Sequence, residues 1–261
     1  MKKVTIVGCG NMGSALARGL SNSSSLKLFD QHLEKSQALA TQLKDAVFAK
    51  TLEEALQDAD FVILAIKPKD FLRMAKEMAS LLKPETRIVS VLAGVSYAQL
   101  REKLPAPIIV RAMPNLAVGC GKGVTGFVED TQISEAARKE ISLLFQSTGM
   151  VLWVNESKID ALMALTACAP AFIAYLVEAF TEGGIYSGFP ADQALPLVRR
   201  VFEGTLALME EQQMHPAALR WQVASPGGTT IEGLKVLEEY RVHFAIMQAL
   251  NASAEKSKNM L

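Results

Sequence analysis

Apolar and polar residues alternate along the first 154 residues in runs of two kinds. Some are short and rich in β-branched and aromatic side chains, which is typical of strands. Between them lie longer stretches with apolar residues at helical spacing. The pattern therefore predicts parallel strands joined by helices, with the strands at Val4–Gly8, Leu26–Asp30, Ala46–Ala49, Phe61–Ile66, Arg87–Ala93, Ile108–Met113, Gly123–Val128 and Val151–Val154.

Two of the predicted helices carry a sequence signal for their first turn. Thr51 and Glu54 have the spacing of a capping box, and so do Ser96 and Gln99. In this arrangement a hydroxyl and a carboxylate or amide satisfy backbone N–H groups that have no partner within the helix. Both helices are therefore predicted to begin at these residues.

The pattern changes after Val154. The remaining residues contain no convincing strand, only long stretches of helical periodicity interrupted by Gly and Pro clusters such as Ser225-Pro-Gly-Gly228. This favours two domains, residues 1–154 with the alternating elements and residues 155–261 all helical. The fold class is predicted as α/β, followed by a helical domain.

A glycine motif lies at the end of the first predicted strand and opens the first predicted helix. Its first glycine permits a tight turn, the second lets the backbone approach a pyrophosphate, and the third allows close packing of helix on strand. The helix N-terminus adds free N–H groups and a partial positive charge. This context predicts a dinucleotide-binding, Rossmann-type doubly wound sheet, with cofactor contacts from Gly8, Cys9, Gly10, Asn11, Met12 and Gly13.

Asp30 ends the second predicted strand. A carboxylate there can accept hydrogen bonds from the adenosine ribose and would repel a 2′-phosphate, so the sequence favours NADH over NADPH. The same side chain could cap the helix that begins near His32. The two roles need the same position and do not exclude each other.

Further cofactor contacts are expected where other strands end, because ligands of open parallel sheets bind beyond the carboxyl ends of the strands. Lys67 could equally be a solvent-exposed lysine that leads a helix. Asn115 could hold the nicotinamide amide or make a turn. The residues predicted on this basis are Ala65, Ile66, Lys67, Pro68, Ala93, Gly94 and Asn115.

A second glycine-rich loop, Ser225–Thr230, leads into a helical pattern. Thr229 and Glu232 again have the spacing of a capping box, so a helix is predicted to begin there. Exposed N–H groups of Gly227 and Gly228 beside the positive helix end would hold a small carboxylate. An ordinary glycine-rich helix entry would look the same.

Composition limits the classes of function. The 27 basic and 27 acidic residues cancel, which removes the electrostatic signature of a nucleic-acid binder. Cys9, Cys120 and Cys168 are too few for a disulfide framework or a four-ligand zinc site, and no metal is expected. Without a signal-peptide pattern at the N-terminus, we expect a cytoplasmic protein.

One uncharged run, Ala161–Val177, approaches the length of a membrane span. Asp160 and Glu178 bound it closely and Pro170 interrupts it, so burial in a protein interface explains it better. Together with Val242–Ala249, it predicts an obligate dimer formed through the helical domain and no membrane association.

Taken together, these motifs resemble the pyrroline-5-carboxylate reductase family. The resemblance rests on the order and spacing of Gly8–Gly13, Ala65–Pro68, Met113–Asn115, the helix after Glu156 and Ser225–Thr230. It implies reduction of 1-pyrroline-5-carboxylate to L-proline by a nicotinamide cofactor, the last step of proline biosynthesis. It also implies a Rossmann domain and a helical dimerisation domain with the active site between them.

The resemblance also implies roles for single residues. Gly227, Gly228, Thr229 and Thr230 would hold the substrate, with the Thr230 hydroxyl near the ring nitrogen as the catalytic group. Glu156 matches a family acid close to the substrate, although a helix N-terminal carboxylate would also fit.

One departure from the family pattern is Thr166–Phe172, which reads TACAPAF where members usually carry SGSGPA followed by Tyr or Phe. It replaces flexible glycines by alanines, which is expected to stiffen the helix. Two alternatives therefore remain open: a cofactor-binding regulatory relative without this turnover, and a reductase of a related cyclic imine or hydroxyacid.

Overall fold

The structure is a computed structural model that describes residues 1–104, 106 and 108–259. It divides into two compact units, one formed by residues 1–167 with the C-terminal residues from Ala254 onwards, the other by Cys168–Ser253. The sequence-based boundary between residues 154 and 155 stays a prediction, and the last two residues of that predicted domain lie outside the described ranges.

The first unit contains the predicted α/β sheet. All predicted strands are present, with ends that differ by a few residues because strand ends depend on pairing partners. The eight strands are β1 (Lys2–Val7), β2 (Ser24–Phe29), β3 (Val47–Phe48), β4 (Phe61–Leu64), β5 (Arg87–Ser90), β6 (Ile108–Pro114), β7 (Gly123–Val128) and β8 (Gly149–Val154).

The strands follow the order β3-β2-β1-β4-β5-β6-β7-β8. The first six have the doubly wound order, in which the chain reverses direction of travel between β1 and β4 and leaves a crevice there. The prediction of parallel strands throughout was wrong at one place, since β6 and β7 pair antiparallel. A parallel crossover needs a dozen or more residues, and residues 115–122 between these strands form only a short 3₁₀ turn.

Helices cover both faces of this sheet. Those of the first unit are α1 (Asn11–Leu20), α2 (Leu33–Ala40), α3 (Leu52–Leu56), α4 (Pro68–Leu81), α5 (Tyr97–Lys103), α6 (Glu135–Phe145) and the short α7 (Ile159–Leu162). Side chains of α1, α2 and α6 join one apolar cluster, and those of α3, α4 and α5 join the other. Strand β4 between them is fully buried, as the apolar run from Phe61 predicted.

The helix-start signals hold in part. Ser96 and Gln99 form the full capping box at α5. At α3, the Thr51 hydroxyl accepts from the N–H of Glu54 as expected. The Glu54 carboxylate accepts from the N–H of Lys50 instead of that of Thr51.

The second unit is entirely helical, as predicted for the later part of the chain. After a π-helical segment, Met163–Cys168, come α8 (Ala169–Tyr186), α9 (Ala191–Glu211), α10 (Pro216–Gln222), α11 (Thr229–Glu239) and α12 (Val242–Lys258), whose last turns belong to the first unit. The helical run Glu156–Tyr186 has the length and composition of a membrane span, a test that helices of soluble proteins also pass.

Candidate functional site

The first glycine motif forms a tight turn between β1 and α1. Gly8 has a φ of +103°, a value that side chains disfavour, and a Cβ there would lie 2.5 Å from the carbonyl oxygen of Ala65. A Cβ on Gly13 would lie 1.8 Å from the carbonyl oxygen of Gly8. These two glycines are therefore required by the packing of the turn itself.

Gly10 differs from its neighbours in the motif. It is the N-cap of α1, and a Cβ placed on it would meet nothing within 4 Å. Open space thus lies directly at the helix N-terminus, where free N–H groups and the helix dipole favour an anion. The geometry fits a pyrophosphate approaching the backbone.

Asp30 is fixed beside this turn. Its Oδ2 accepts from the N–H of Cys9 at 2.7 Å and its Oδ1 accepts from the N–H of His32 at 2.9 Å. Burial, together with the negative charge of Asp30, raises the pKa of the Cys9 thiol to about 12. The carboxylate therefore both braces the turn and precedes α2, and Cys9 remains a neutral thiol at neutral pH.

A cleft of about 270 Å³ opens beside the turn, between the ends of β1, β2 and β4. It lies at the position where the strand order reverses, which is where doubly wound sheets bind ligands. Sequence reasoning missed several of its residues because they come from loops and from the first turns of α2 and α4. The cleft is lined by Val7, Gly8, Gly10, Phe29, Asp30, Gln31, His32, Lys35, Ala65, Ile66, Lys67, Lys69, Asp70 and Met74.

The other predicted cofactor residues are placed differently. Cys9 and Asn11 line a wider surface depression on the far side of Gly10, together with Arg18 and Lys35. Met12 packs against the apolar core instead. Pro68 begins α4 with Lys67 as its N-cap.

The loop after β5 does not line the cleft beside the glycine turn. Ala93 is exposed, and Gly94 has a φ of +73° that glycine tolerates best. A cofactor role for these two residues stays a prediction.

Asn115 is buried and its amide already has partners within the first unit. Its Nδ2 donates to the carbonyl oxygen of Thr166 at 3.1 Å, and its Oδ1 accepts from the N–H of Val124 at 3.1 Å. One N–H and one lone pair of the amide remain available. The side chain ties β6 to the π-helical segment, and a contact with nicotinamide stays a prediction.

Arg111 is a charged residue that sequence reasoning missed. It lies in β6, is 7% exposed, and its Nη1 is 2.5 Å from Oε1 of Glu156. Glu156 itself is about half exposed, in a 3₁₀ turn directly after β8. The sequence did contain a signal for it, since Arg111 is the one charged residue in the otherwise apolar strand IIVRAMP. A charge in a buried strand needs a partner, and this could have drawn attention to the residue.

The second glycine-rich loop ends at α11 in the second unit. Gly227 has a φ of +65°, and Gly228 is the N-cap of the helix without a side-chain cap. The predicted capping box was wrong: Thr229 is already the first helical residue, so its hydroxyl is not placed to cap the helix. Thr229 and Thr230 are exposed.

The departure from the family pattern falls on a structural irregularity. Thr166 and Cys168 belong to the π-helical segment, and Pro170 lies in the first turn of α8. π-Helical turns are rare and occur often at functional sites. Among the described residues, no group of three His, Cys, Asp or Glu could hold a metal ion.

Two family models match the chain. Residues 156–260 match "Pyrroline-5-carboxylate reductase dimerisation", and residues 3–94 match "NADP oxidoreductase coenzyme F420-dependent".

Similar proteins cover the whole chain. A pyrroline-5-carboxylate reductase of Aquifex aeolicus is 34% identical over 99% of this chain and 97% of its own length. One of Escherichia coli is 30% identical over 99% and 98%. The solved structure of 1-pyrroline-5-carboxylate reductase from Streptococcus pyogenes superposes with a TM-score of 0.87 at 28% identity, covering 98% of each chain.

Proposed function

This chain belongs to the pyrroline-5-carboxylate reductase family, and we propose from that premise how its residues carry out the reaction. It is an NAD(P)H-dependent oxidoreductase that reduces 1-pyrroline-5-carboxylate to L-proline, the last step of proline biosynthesis. When bound, the reduced nicotinamide supplies a hydride to the imine carbon, while the ring nitrogen takes a proton from solvent.

The observation that carries the cofactor assignment is the open space at Gly10, at the N-terminus of α1 and beside the cleft. In this proposal the N–H groups of the Gly8–Gly13 turn bind the pyrophosphate. Lys35, Lys67 and Lys69 supply positive charge along the cleft. Ala65 and Ile66 border it, Pro68 begins the helix beside it, and Ala93, Gly94 and Asn115 are assigned to the nicotinamide side.

We also propose that the enzyme favours NADH. Asp30 holds a negative charge at the end of β2, where the adenosine ribose of a dinucleotide lies in doubly wound folds. Two backbone N–H groups orient the carboxylate, and each of its oxygens keeps a lone pair for a ribose hydroxyl. A 2′-phosphate at the same place would be repelled.

The substrate carboxylate is assigned to the second unit. The first N–H groups of α11, with Gly227, Gly228 and Thr229, form an anion site of the kind that helix N-termini provide. The Thr230 hydroxyl is assigned to the ring nitrogen, and Glu156 is assigned to substrate binding, as the resemblance to the family implied. An imine is readily protonated, so orienting the two reactants is the main task of the protein, and such orientation can be worth about 7–11 kcal/mol.

The chain forms homo-oligomers, in line with its match to a dimerisation family over residues 156–260. We propose that a second copy covers the exposed apolar side chains of the second unit, among them Ile173, Phe180 and Leu197. We further propose that the enzyme works in the cytoplasm without membrane or nucleic-acid partners.

The decisive experiment is an assay of the purified protein with 1-pyrroline-5-carboxylate, following oxidation of NADH and of NADPH. A six-membered imino acid serves as the comparison substrate. Turnover with the five-membered ring is expected to be faster, and NADH the better cofactor. Cofactor binding without turnover of either imine would point to the regulatory alternative.

The role of Thr230 has its own test. Thr230→Ala is expected to lower kcat/KM for the imine by about 10- to 100-fold, the range for one lost hydrogen bond at a reacting group, and Thr230→Ser is expected to restore most of it. An unchanged kcat/KM in Thr230→Ala would remove Thr230 from the mechanism.

A further inference from the structure

Arg111 stands in one transverse row of the sheet with the residues that precede the cofactor loops. Val7 pairs with Leu64, Leu64 with Ser90, and Ser90 with Arg111. The residues after Val7 and Leu64 are Gly8 and Ala65, which line the cofactor cleft. Arg111 therefore lies at the carboxyl edge of the parallel strands, the edge at which this fold binds its ligands.

The burial of Arg111 has no simple explanation in stability. Its guanidinium is almost completely removed from water, and its recorded partner is the half-exposed carboxylate of Glu156. Burying a charge costs several kcal/mol, and apolar residues of the same volume often stabilise a fold equally well. A buried arginine at a ligand-binding edge is thus better explained by what it does to Glu156.

Glu156 is held from two directions. Arg111 binds Oε1, and within the described part of the chain no second hydrogen bond reaches the carboxylate. The backbone is fixed by Asn155, whose Oδ1 accepts from the N–H of Ser157 at 3.0 Å and from its hydroxyl at 2.8 Å. The carboxylate is therefore oriented while Oε2 remains free to accept a hydrogen bond.

We propose that Arg111 is a positioning residue for the reduction: it holds Glu156 so that the free carboxylate oxygen faces the positive charge of the protonated imine. This inference rests on the proposed function, in which the substrate is a cyclic imino acid. A fixed negative charge stabilises the protonated imine, which is the form that accepts a hydride at carbon. The role of Arg111 is indirect, since it acts through Glu156.

A double-mutant cycle tests the proposal, using Arg111→Met, Glu156→Gln and both together. Each single variant is expected to lower kcat/KM for 1-pyrroline-5-carboxylate by about 10- to 100-fold, as expected for a lost hydrogen bond to a charged group. The kcat/KM of the double variant is expected to be no lower than that of the less active single variant, because both changes remove the same interaction between Arg111 and Glu156. The affinity for NADH is expected to stay unchanged.

The sheet contains a matched control. Arg87 lies at the opposite end of β5, with its Nη2 2.8 Å from Oε2 of Glu140. Arg87→Met removes a comparable ion pair away from the ligand edge, so it is expected to lower stability and leave kcat/KM unchanged. If Arg111→Met does not fold, the cycle is measured with Arg111→Gln, which removes the charge that pairs with Glu156 but keeps polar groups at the position.

Two results would overturn the inference. Losses that add in the double variant would show that Arg111 does not act through Glu156, although wild-type turnover would leave the proposed function standing. Arg111 and Arg87 variants that lose stability alike, with kcat/KM unchanged in both, would make Arg111 purely structural. A wild-type enzyme that does not reduce the imine would overturn the proposed function itself.

Discussion

The two units of this chain bury their apolar residues to very different degrees. In the first unit the inner faces of the helices pack against the sheet, and Ile63, Leu64 and Phe127 are completely buried. In the second unit α8 and α11 contain no buried residue, and Ala194 and Leu219 are the apolar residues that the described structure buries there. Burial of apolar surface is the main force in folding, so only the first unit completes its core within one chain.

The difference also separates two ways of building the proposed binding sites. In the glycine turn of the first unit the backbone is packed so tightly that Gly8 and Gly13 tolerate no side chain, whereas Gly10 borders open space. The second unit offers an exposed helix N-terminus at Gly228 on a scaffold whose helices need further partners. We therefore expect substitutions in the glycine turn to act on folding or cofactor binding, and those on the exposed apolar faces of the second unit to act on assembly.

The largest expected effect comes from a pair of glycine substitutions. Gly13→Ala forces a Cβ against the carbonyl oxygen of Gly8 and is expected to destabilise the first unit by about 1–3 kcal/mol. Gly10→Ala places its methyl group in open space, so stability is expected to hold while NADH binding weakens. Urea unfolding and cofactor titration measure the two effects. Equal stability of both variants would contradict the conclusion that the turn leaves no room for a side chain at Gly13.

A substitution in α8 tests the open surface of the second unit. Ile173 is 52% exposed in a single copy. If a second copy covers it, Ile173→Lys is expected to weaken the dimer by about 2 kcal/mol or more, roughly 30-fold. Leu72→Lys on α4 is the control, since Leu72 is similarly exposed in the first unit. Sedimentation that shows no difference between the two variants would place the interface elsewhere.

A change at Asp30 is expected to act on cofactor choice, with a cost in stability because the amide nitrogen of Asn cannot accept from one of the two backbone N–H groups that the carboxylate holds. Asp30→Asn keeps the size of the side chain and one acceptor oxygen, but removes the charge that opposes a 2′-phosphate. The ratio of kcat/KM for NADPH to that for NADH is expected to rise about tenfold. Asp70→Asn removes a second charge from the same cleft. An equal rise there would mean that overall cleft charge, not the position of Asp30, sets the preference.

The smallest expected effect concerns the reactivity of the Cys9 thiol, and its test needs no substitution. Cys9 is buried under the glycine turn with a pKa of about 12, so at about pH 8 only about one thiol in 10⁴ is ionised. Iodoacetamide is expected to modify exposed Cys120 and spare Cys9, with Cys9 reactivity rising as pH approaches its pKa. Mass spectrometry of the peptides reads the result. Equal labelling of both cysteines would mean that Cys9 is accessible to the reagent and that the apolar core of the first unit is not closed around it.

Sequence reasoning succeeded where a pattern is local. The strands, the helical second half and the capping box at Ser96 follow from periodicity and from side chains a few residues apart. It failed where the backbone conformation of a connecting loop decides the outcome. The antiparallel β7 depends on a connection too short to cross over, and the start of α11 at Thr229 depends on the left-handed turn at Gly227.

The candidate site shows the same division. Gly8–Gly13 and Asp30 could be proposed because each belongs to a motif with a fixed order of strand, turn and helix. Arg111 could not, because its partner lies 45 positions away and joins it only when β6 and β8 are placed in one sheet. The internal hydrogen bonds of Asn115 were hidden for the same reason.

By itself the sequence determined the element types, the glycine turn for a dinucleotide and the family, because these are written in short-range patterns of residue type. The tertiary structure decided the strand order that opens the cleft, the pairing of Arg111 with Glu156, and which apolar surfaces stay uncovered. Those features depend on chain closure and packing between residues far apart in sequence, where the energy belongs to the contact and not to either residue alone.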